Sequence, residues 1–226
     1  MAKAVGESFY FAMSLLVLAI VVYGFSYTLN DNLIHPSYPR PWILYVHAAV
    51  FSMWVTLFIL QTALVRARHV SVHRRVGRWV AGLGILIPIL GVATAIAIAK
   101  LRGGHGEPDA AGSLPISTFD MVAFTPSFAL AIYLRKRADY HRRLMFMATC
   151  ALTAAAFGRI PMLDHADWFY VGVDALIAVA VVRDLLVDRR VHPVFAYGLP
   201  AMIAGQVAVA SFRWSAWWIA IAHNLY

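Results

Sequence analysis

Seven apolar stretches, each long enough to cross a lipid bilayer, constrain this chain more than any other feature. Their approximate bounds are 8–29, 42–66, 76–100, 117–135, 143–163, 168–187 and 193–212. A helix needs about 20 apolar residues to cross the hydrocarbon core, and the stretches lack the alternation of barrel strands. Because the bilayer offers backbone groups no partners, each stretch is predicted to be helical. The sequence therefore predicts an all-α polytopic membrane protein, a seven-transmembrane-helix bundle.

The composition supports the same class. Of 226 residues, 62% are hydrophobic and 13% are charged, with a mean hydropathy of +0.70. A soluble domain is about half apolar and about a quarter charged. No polar linker divides residues 1–226, so we expect a single domain. The tail, residues 213–226, holds three tryptophans and is predicted to lie at the membrane interface.

The basic residues predict an orientation. Fourteen of the 19 Lys and Arg residues lie at Lys3 or beside the connections between stretches two and three, four and five, and six and seven. These positions share one side if seven helices alternate, and the positive-inside rule makes that side cytoplasmic. The N-terminus is then inside and the C-terminus outside. The net charge of +8 favours anionic lipid of the cytoplasmic face as a partner, and we expect no nucleic acid.

Ionisable side chains at membrane depth are costly, and each is therefore a functional candidate. Near the predicted outer side, the sequence places His47, Asp120, Arg159 and Asp174, with His165 in a short loop. Two interpretations are open. Arg159 could form a structural ion pair with Asp174 or Asp120. Alternatively, His47, Asp120, His165 and Asp174 could bind zinc or iron, because imidazole and carboxylate are ligands of both metals.

Near the predicted inner side, His73 and His141 each precede two arginines at the start of a stretch. A helix N-terminus offers free N–H groups and the positive end of the dipole, so this arrangement suits a phosphate or a carboxylate. One interpretation is a solvated basic surface in contact with lipid. The other is axial ligation of haem b by His73 and His141, with Arg74 and Arg142 pairing with the propionates. His47 would then be an outer-side ligand or a proton-transfer group.

A long motif connects several of these residues. It reads H–x13–Q–x11–HRRVGRW from His47 to Trp79 and continues with HRRLM from His141 and then Arg159. Over about residues 42–165 it resembles a bacterial family of multi-pass membrane proteins with HR-x-x-G-R and HR-x-x-M turns, for which no activity is assigned. More remotely, the chain is similar to b-type transmembrane cytochromes and to membrane proteins of oxidase assembly. That similarity implies haem b, electron transport in a bacterial cytoplasmic (inner) membrane, and a quinone or a membrane redox complex as partner.

Three functions follow as expectations. The first is an integral membrane redox or redox-assembly protein. The second is a membrane-embedded metal-dependent hydrolase that uses the outer histidines and aspartates, and the third is a non-enzymatic subunit or lipid-binding protein. The residues leave open whether the chain is an enzyme. A retinal-based pump is not expected, because the last stretch contains no lysine for a Schiff base.

Overall fold

The computed structural model describes residues 2–107, 110–164 and 168–222, and this part of the chain contains helices and no strand. In chain order the helices are α1 (Ala2–Ser26), α2 (Trp42–Arg66), α3 (Val70–Gly104), α4 (Ala110–Tyr133), α5 (Ala138–Leu152), α6 (Ala154–Phe157), α7 (Pro161–Asp164), α8 (Phe169–Asp188), α9 (Pro193–Phe212) and α10 (Ala216–Ala222). A π-helical turn, Asn30–Ile34, lies between α1 and α2.

Several of these helices are long and apolar enough to cross a membrane. By length and composition, five segments of the described chain qualify: Ser8–Ser26, Trp42–Arg66, Val70–Gly104, Gly112–Tyr133 and Pro193–Phe212. The predicted all-helical membrane fold is therefore confirmed for the described residues. The helix α8 has the length of a span, but it contains Asp174, Arg183 and Asp184 within its apolar sequence.

The fifth predicted stretch, 143–163, differs most from expectation, because three helices replace one. The chain turns at Thr153, whose hydroxyl donates to the Cys150 carbonyl at 2.6 Å, and α6 follows. Gly158 ends α6, and Pro161 begins α7, as suits a residue that lacks an N–H group. Hydropathy gives no sign of this interruption, because the residues on both sides of Thr153 are apolar.

Three other helices begin earlier than predicted. The helix α1 starts at Ala2 rather than at residue 8, α3 at Val70 rather than at residue 76, and α4 at Ala110 rather than at residue 117. The His73–Arg75 segment therefore lies inside the first turns of α3. Polar first turns carry no apolar signal, so hydropathy underestimates how far a helix extends beyond the bilayer core.

Helices that follow one another along the chain pack side by side from α1 to α5, while α9 packs against α4 and α8. An aromatic group lies at the centre, where Trp54 of α2 meets Phe124 and Phe128 of α4 edge to face at 5.4 and 5.8 Å. Two glycines of α3 permit close packing of α3 against α4, because a Cβ on Gly84 or Gly91 would overlap a side chain of α4. The two glycines are seven residues apart and therefore face the same neighbouring helix.

Polar contacts gather at the two ends of the bundle, on either side of this aromatic centre. We call one the basic end; it contains Arg66, His73, His141 and the buried Arg143–Asp184 pair. We call the other the opposite end; it contains the contacts of Arg159 with Thr28 and of Glu107 with Tyr38 and Arg102. Between the ends, apolar side chains such as Ile85 and Ile89 stay about 60% exposed, as expected for surfaces that face lipid.

Candidate functional site

A pair of histidines lies at the basic end, although 68 positions separate them along the chain. His73 comes from the first turns of α3 and His141 from the first turn of α5. Their ring centroids are 6.3 Å apart and their planes are inclined at 78°. Both side chains are half-buried. The structure therefore brings together the two histidines of the repeated His-Arg-Arg motif.

The tautomer of His141 is set by the backbone. Its Nδ1 lies 2.8 Å from the carbonyl oxygen of Ala131 at the end of α4. A carbonyl can only accept, so Nδ1 carries the proton in this hydrogen bond. The neutral ring therefore keeps a free lone pair on Nε2, which is the arrangement that a metal-ligating histidine requires.

The side chain of Gln61 contacts His73 directly. In the orientation that satisfies the backbone of α3, the Gln61 amide nitrogen donates to the His73 carbonyl oxygen at 3.2 Å and also to His73 Nδ1. The amide oxygen then accepts from Gly77 N at 3.0 Å. Gln61 belongs to the sequence motif, but its partner was not predicted. The short connection between α2 and α3 is the signal that could have indicated the contact.

The arginines that follow the two histidines differ in their surroundings. Arg74 is exposed, whereas Arg142 is half-buried with its guanidinium 5.7 Å from the Tyr10 ring centroid. The Nε atom of Arg142 is buried and has no hydrogen-bond partner among the described residues. Arg142 therefore has one donor that no described residue satisfies.

A buried charge network joins α5 to α8 close to His141. Arg143 donates to both carboxylate oxygens of Asp184, at 2.8 and 2.7 Å, and to Asp188 at 3.0 Å. Arg183 donates to the same two aspartates, at 2.9 and 2.6 Å. Arg143 and Asp184 are almost fully buried, with 2% and 0% exposure. The network balances two positive and two negative charges and fixes the helix that carries His141.

Sequence reasoning missed the acidic half of this network. The adjacent pair Arg183-Asp184 within an otherwise apolar stretch was the available signal, because charges at that depth need partners.

A second polar contact at the basic end connects α5 with the start of α9. His192 Nδ1 accepts from Val194 N at 3.2 Å, so Nε2 carries the proton that is directed to Asp139 Oδ2 at 3.4 Å. Burial and the nearby Arg143 lower the pKa of His192, against the effect of Asp139. Burial alone would raise the pKa of Asp139, but hydrogen bonds from His192 and from backbone N–H groups leave it below its ordinary value.

At the opposite end, the predicted ion pairs of Arg159 do not form. Arg159 donates to Thr28 Oγ1 at 3.1 Å and to the carbonyl oxygen of Ala155, and its guanidinium lies 4.2 Å from the Phe25 ring centroid. Neither Asp174 nor Asp120 is within ion-pair distance of it. The physical reason is position, because Arg159 follows α6 and faces the end of α1 rather than α8 or α4.

The two aspartates at membrane depth have separate partners. Asp120 accepts from the Tyr170 hydroxyl at 3.3 Å, and Asp174 accepts from Gln206 Nε2 at 3.0 Å. The fifth predicted member of the outer site, His165, lies outside the described residues. Among those that the structure describes, no three His, Cys, Asp or Glu side chains lie close enough to hold one metal ion.

His47 stands apart from these aspartates. Its ring stacks on Phe51, with centroids 3.9 Å apart, and its Nδ1 is buried without a hydrogen-bond partner in the described part of the chain. The described members of the predicted outer site thus make separate contacts.

An unpredicted cluster ties the loop after α1 to the end of α3. The Tyr38 hydroxyl donates to the Glu107 carboxylate, and Arg102 Nε donates to the same group at 2.6 Å. The Tyr38 ring stacks on His105 with centroids 3.9 Å apart. Hydrogen bonds from Tyr38 and Arg102 lower the pKa of Glu107. The cluster holds a connection in place outside the apolar segments.

Comparison with known proteins finds no relative of this chain. No protein-family model matches the sequence, and neither curated proteins nor solved structures give a match. The fold and the site therefore define only a class, a helical multi-pass membrane protein with a histidine pair at its basic end.

Proposed function

We propose that the protein is an integral membrane redox or redox-assembly protein that binds haem b through His73 and His141. The observation that supports this most is the 6.3 Å separation of two half-buried imidazole rings from different helices. Metal–imidazole bonds are about 2 Å long, so two rings on opposite sides of one metal ion have centroids about 6 Å apart. A quinone or a membrane redox complex would exchange electrons with the protein.

The residues at the basic end fit haem in three respects. Haem iron takes its protein ligands from its two axial positions, so a histidine pair is sufficient. His141 has Nε2 available, because its Nδ1 proton is directed to Ala131. The free Nε donor of Arg142, with the exposed Arg74, suits the propionates. Bound haem would supply one-electron chemistry, and the Arg143–Asp184 pair would keep the ligand helix in position.

We further propose seven spans, with the N-terminus inside and the C-terminus outside the cytoplasmic membrane. The segment α5 to α7 and the helix α8 would supply the two spans beyond the five qualifying segments. Support comes from the basic residues, fourteen of 19 of which belong to one side in this arrangement. The histidine pair would then lie toward the cytoplasmic leaflet, where Arg74, Arg75 and Arg78 are exposed and could contact anionic lipid.

The test is the haem content of the purified protein and its variants. We expect the wild-type protein, produced with haem available, to show a Soret band and about one haem b per chain. His73→Ala and His141→Ala should each lose most of it. His69→Ala is the matched control, because His69 is exposed and its side chain forms no cap hydrogen bond on α3. A haem-free wild type, or unchanged haem in both variants, would overturn the proposal.

A non-enzymatic subunit or lipid-binding protein is the second candidate. The exposed arginines of the basic end favour it, because such side chains attract anionic lipid. If alanine at His73 and His141 lowers stability and changes no spectrum, while Arg74→Ala with Arg75→Ala weakens binding to anionic vesicles, this candidate replaces the haem protein.

A further inference from the structure

The side chain of Gln61 in α2 hydrogen-bonds to His73, and this contact bears on which ring nitrogen of His73 carries the proton. We infer that Gln61 is a positioning residue that sets the tautomer of His73. Its hydrogen bond to Nδ1 keeps the ring proton of His73 on Nε2, unless the Gln61 amide group rotates by about 180°. Gln61 is 8% exposed and reaches two backbone groups of α3 as well as the ring. The effect of Gln61 on haem binding rests on the proposed function, whereas its hydrogen bonds to α3 do not.

The donor and acceptor roles follow from the backbone of α3. The His73 carbonyl oxygen can only accept and Gly77 N–H can only donate, so the two together orient the Gln61 amide. With the amide nitrogen on the carbonyl side, its second hydrogen points to His73 Nδ1, which must accept. A neutral imidazole carries one proton, and it is therefore on Nε2.

The two histidines of the pair are consequently not equivalent. His141 has its proton on Nδ1 and a free lone pair on Nε2, whereas His73 has a proton on Nε2. A metal can bind the Nε2 of His73 only if the proton moves to Nδ1, and Nδ1–H then needs an acceptor. Turning the Gln61 amide over supplies its oxygen to Nδ1–H, but removes both contacts to the His73 carbonyl and Gly77 N–H.

Gln61 thus acts on the haem site through His73. When Nε2 of His73 carries the proton, Gln61 makes three hydrogen bonds. When Nδ1 carries the proton, which leaves Nε2 free to bind a metal, Gln61 makes one. Residues that hydrogen-bond to a ligating histidine typically change metal affinity by about 10- to 100-fold, so the choice of side chain at position 61 should be visible in haem affinity.

The tautomer itself can be measured without haem. We would record nitrogen NMR spectra of the haem-free full-length protein, labelled with ¹⁵N-histidine, at about pH 8, where an ordinary imidazole is neutral; His73→Ala assigns the signal. The expected wild-type result is the Nε2–H form of His73. Gln61→Met should give a mixture of tautomers, and Gln61→Glu, which offers acceptor oxygens when ionised, should give mainly Nδ1–H. The matched control is Gln206→Met, which changes the other buried glutamine and should leave His73 as in the wild type.

A haem titration of the same variants is the second readout. Gln61→Glu is expected to bind haem about tenfold more tightly than the wild type and to lower its reduction potential, because a more basic ligand stabilises the oxidised iron. Gln206→Met should match the wild type in both measurements.

The two readouts separate the inference from the proposed function. If no variant binds haem, the proposed function fails, and the NMR result alone decides the role of Gln61. An Nδ1–H tautomer in the wild type, or a His73 spectrum that Gln61→Met and Gln61→Glu leave unchanged, overturns the inference even if haem binds.

Discussion

The two ends of the bundle accommodate ionisable side chains in different ways. At the basic end, charges pair with charges, as in the network of Arg143 with Asp184, and the two histidines lie together. Toward the opposite end, the two aspartates within apolar helices accept from neutral donors: Asp120 from Tyr170, and Asp174 from Gln206. Polar groups at a similar depth in a membrane therefore do not necessarily form one site. Helix register decides which polar groups meet.

Ion pairs at the basic end and neutral hydrogen bonds toward the opposite end also differ in how much stability a single substitution removes. A buried ion pair cannot lose one member without leaving an uncompensated charge, which costs several kcal/mol. A carboxyl group that is hydrogen-bonded to a hydroxyl or an amide can be replaced by a neutral group at smaller cost. The basic end should therefore be the part of the molecule that is most sensitive to single substitutions.

The largest expected effect is at Asp184. Asp184→Ala leaves Arg143 and Arg183 in a buried position without their shared carboxylate, and we expect it to lower the free energy of unfolding by about 3–5 kcal/mol. The matched substitution at the opposite end, Arg102→Ala, breaks a pair whose members are 31% and 35% exposed and should cost about 0–1 kcal/mol. Denaturant titration in detergent measures both. Equal losses would remove the contrast between the two ends.

A smaller effect is expected where α1 meets α6. A Cβ on Gly24 would overlap the backbone carbonyl of Ala156, which cannot move without shifting α6. Gly24→Ala should therefore cost about 1–3 kcal/mol. Gly82→Ala is the control, because no heavy atom lies within 4 Å of its added Cβ, and it should stabilise α3 by up to about 1 kcal/mol. Thermal unfolding in detergent distinguishes the two, and a neutral Gly24→Ala would show that α1 and α6 pack less closely.

The cluster around Glu107 should add a modest dependence on pH. Because Tyr38 and Arg102 lower its pKa in the folded protein, Glu107 stabilises the fold above its ordinary pKa of 4.5. That contribution is lost as the pH falls below 4.5 and then through the lowered pKa of Glu107 in the folded protein. Since the group is partly exposed, we expect at most about 1 kcal/mol. Proteolysis of the loop that carries Tyr38, compared between wild type and Glu107→Gln, follows the effect; identical acid profiles would contradict it.

The smallest expected effect is a coupling energy. Arg159 and Asp174 share no contact, so a double-mutant cycle with Arg159→Ala and Asp174→Ala should give less than about 0.5 kcal/mol. The same cycle on Arg143 and Asp184 should give a coupling several times larger. A large value for Arg159 and Asp174 would restore the ion pair that the sequence predicted.

Much of the fold could be predicted, because a helix that crosses the hydrocarbon core of a bilayer must be both apolar and about 20 residues long. In the part of the chain that the structure describes, five of the apolar stretches correspond to helices that are long and apolar enough to cross a membrane. The interruption at Thr153 could not be predicted, since its φ and ψ of −75° and −13° stay in the helical region and no Gly or Pro marks the position in the apolar run. The early starts of α3 and α4 were missed because polar turns beyond the bilayer core have no apolar signal.

The candidate sites divide in a similar way. The repeated His-Arg-Arg motif identified His73 and His141, which the fold brings together. Depth alone suggested Asp120, Arg159 and Asp174 as one site, but depth carries no information about the rotation of each helix around its axis. Gln61 could be placed near His73 only by considering the reversal of the chain between α2 and α3.

The most direct test of the account is the axial ligation of iron in the purified wild-type protein, measured by electron paramagnetic resonance and near-infrared magnetic circular dichroism. If His73 and His141 are the axial ligands, we expect low-spin ferric haem with two histidine ligands, converted to a high-spin or haem-free state by His73→Ala and by His141→Ala alike. Haem with any other ligand pair, or a low-spin spectrum that survives both substitutions, would contradict it.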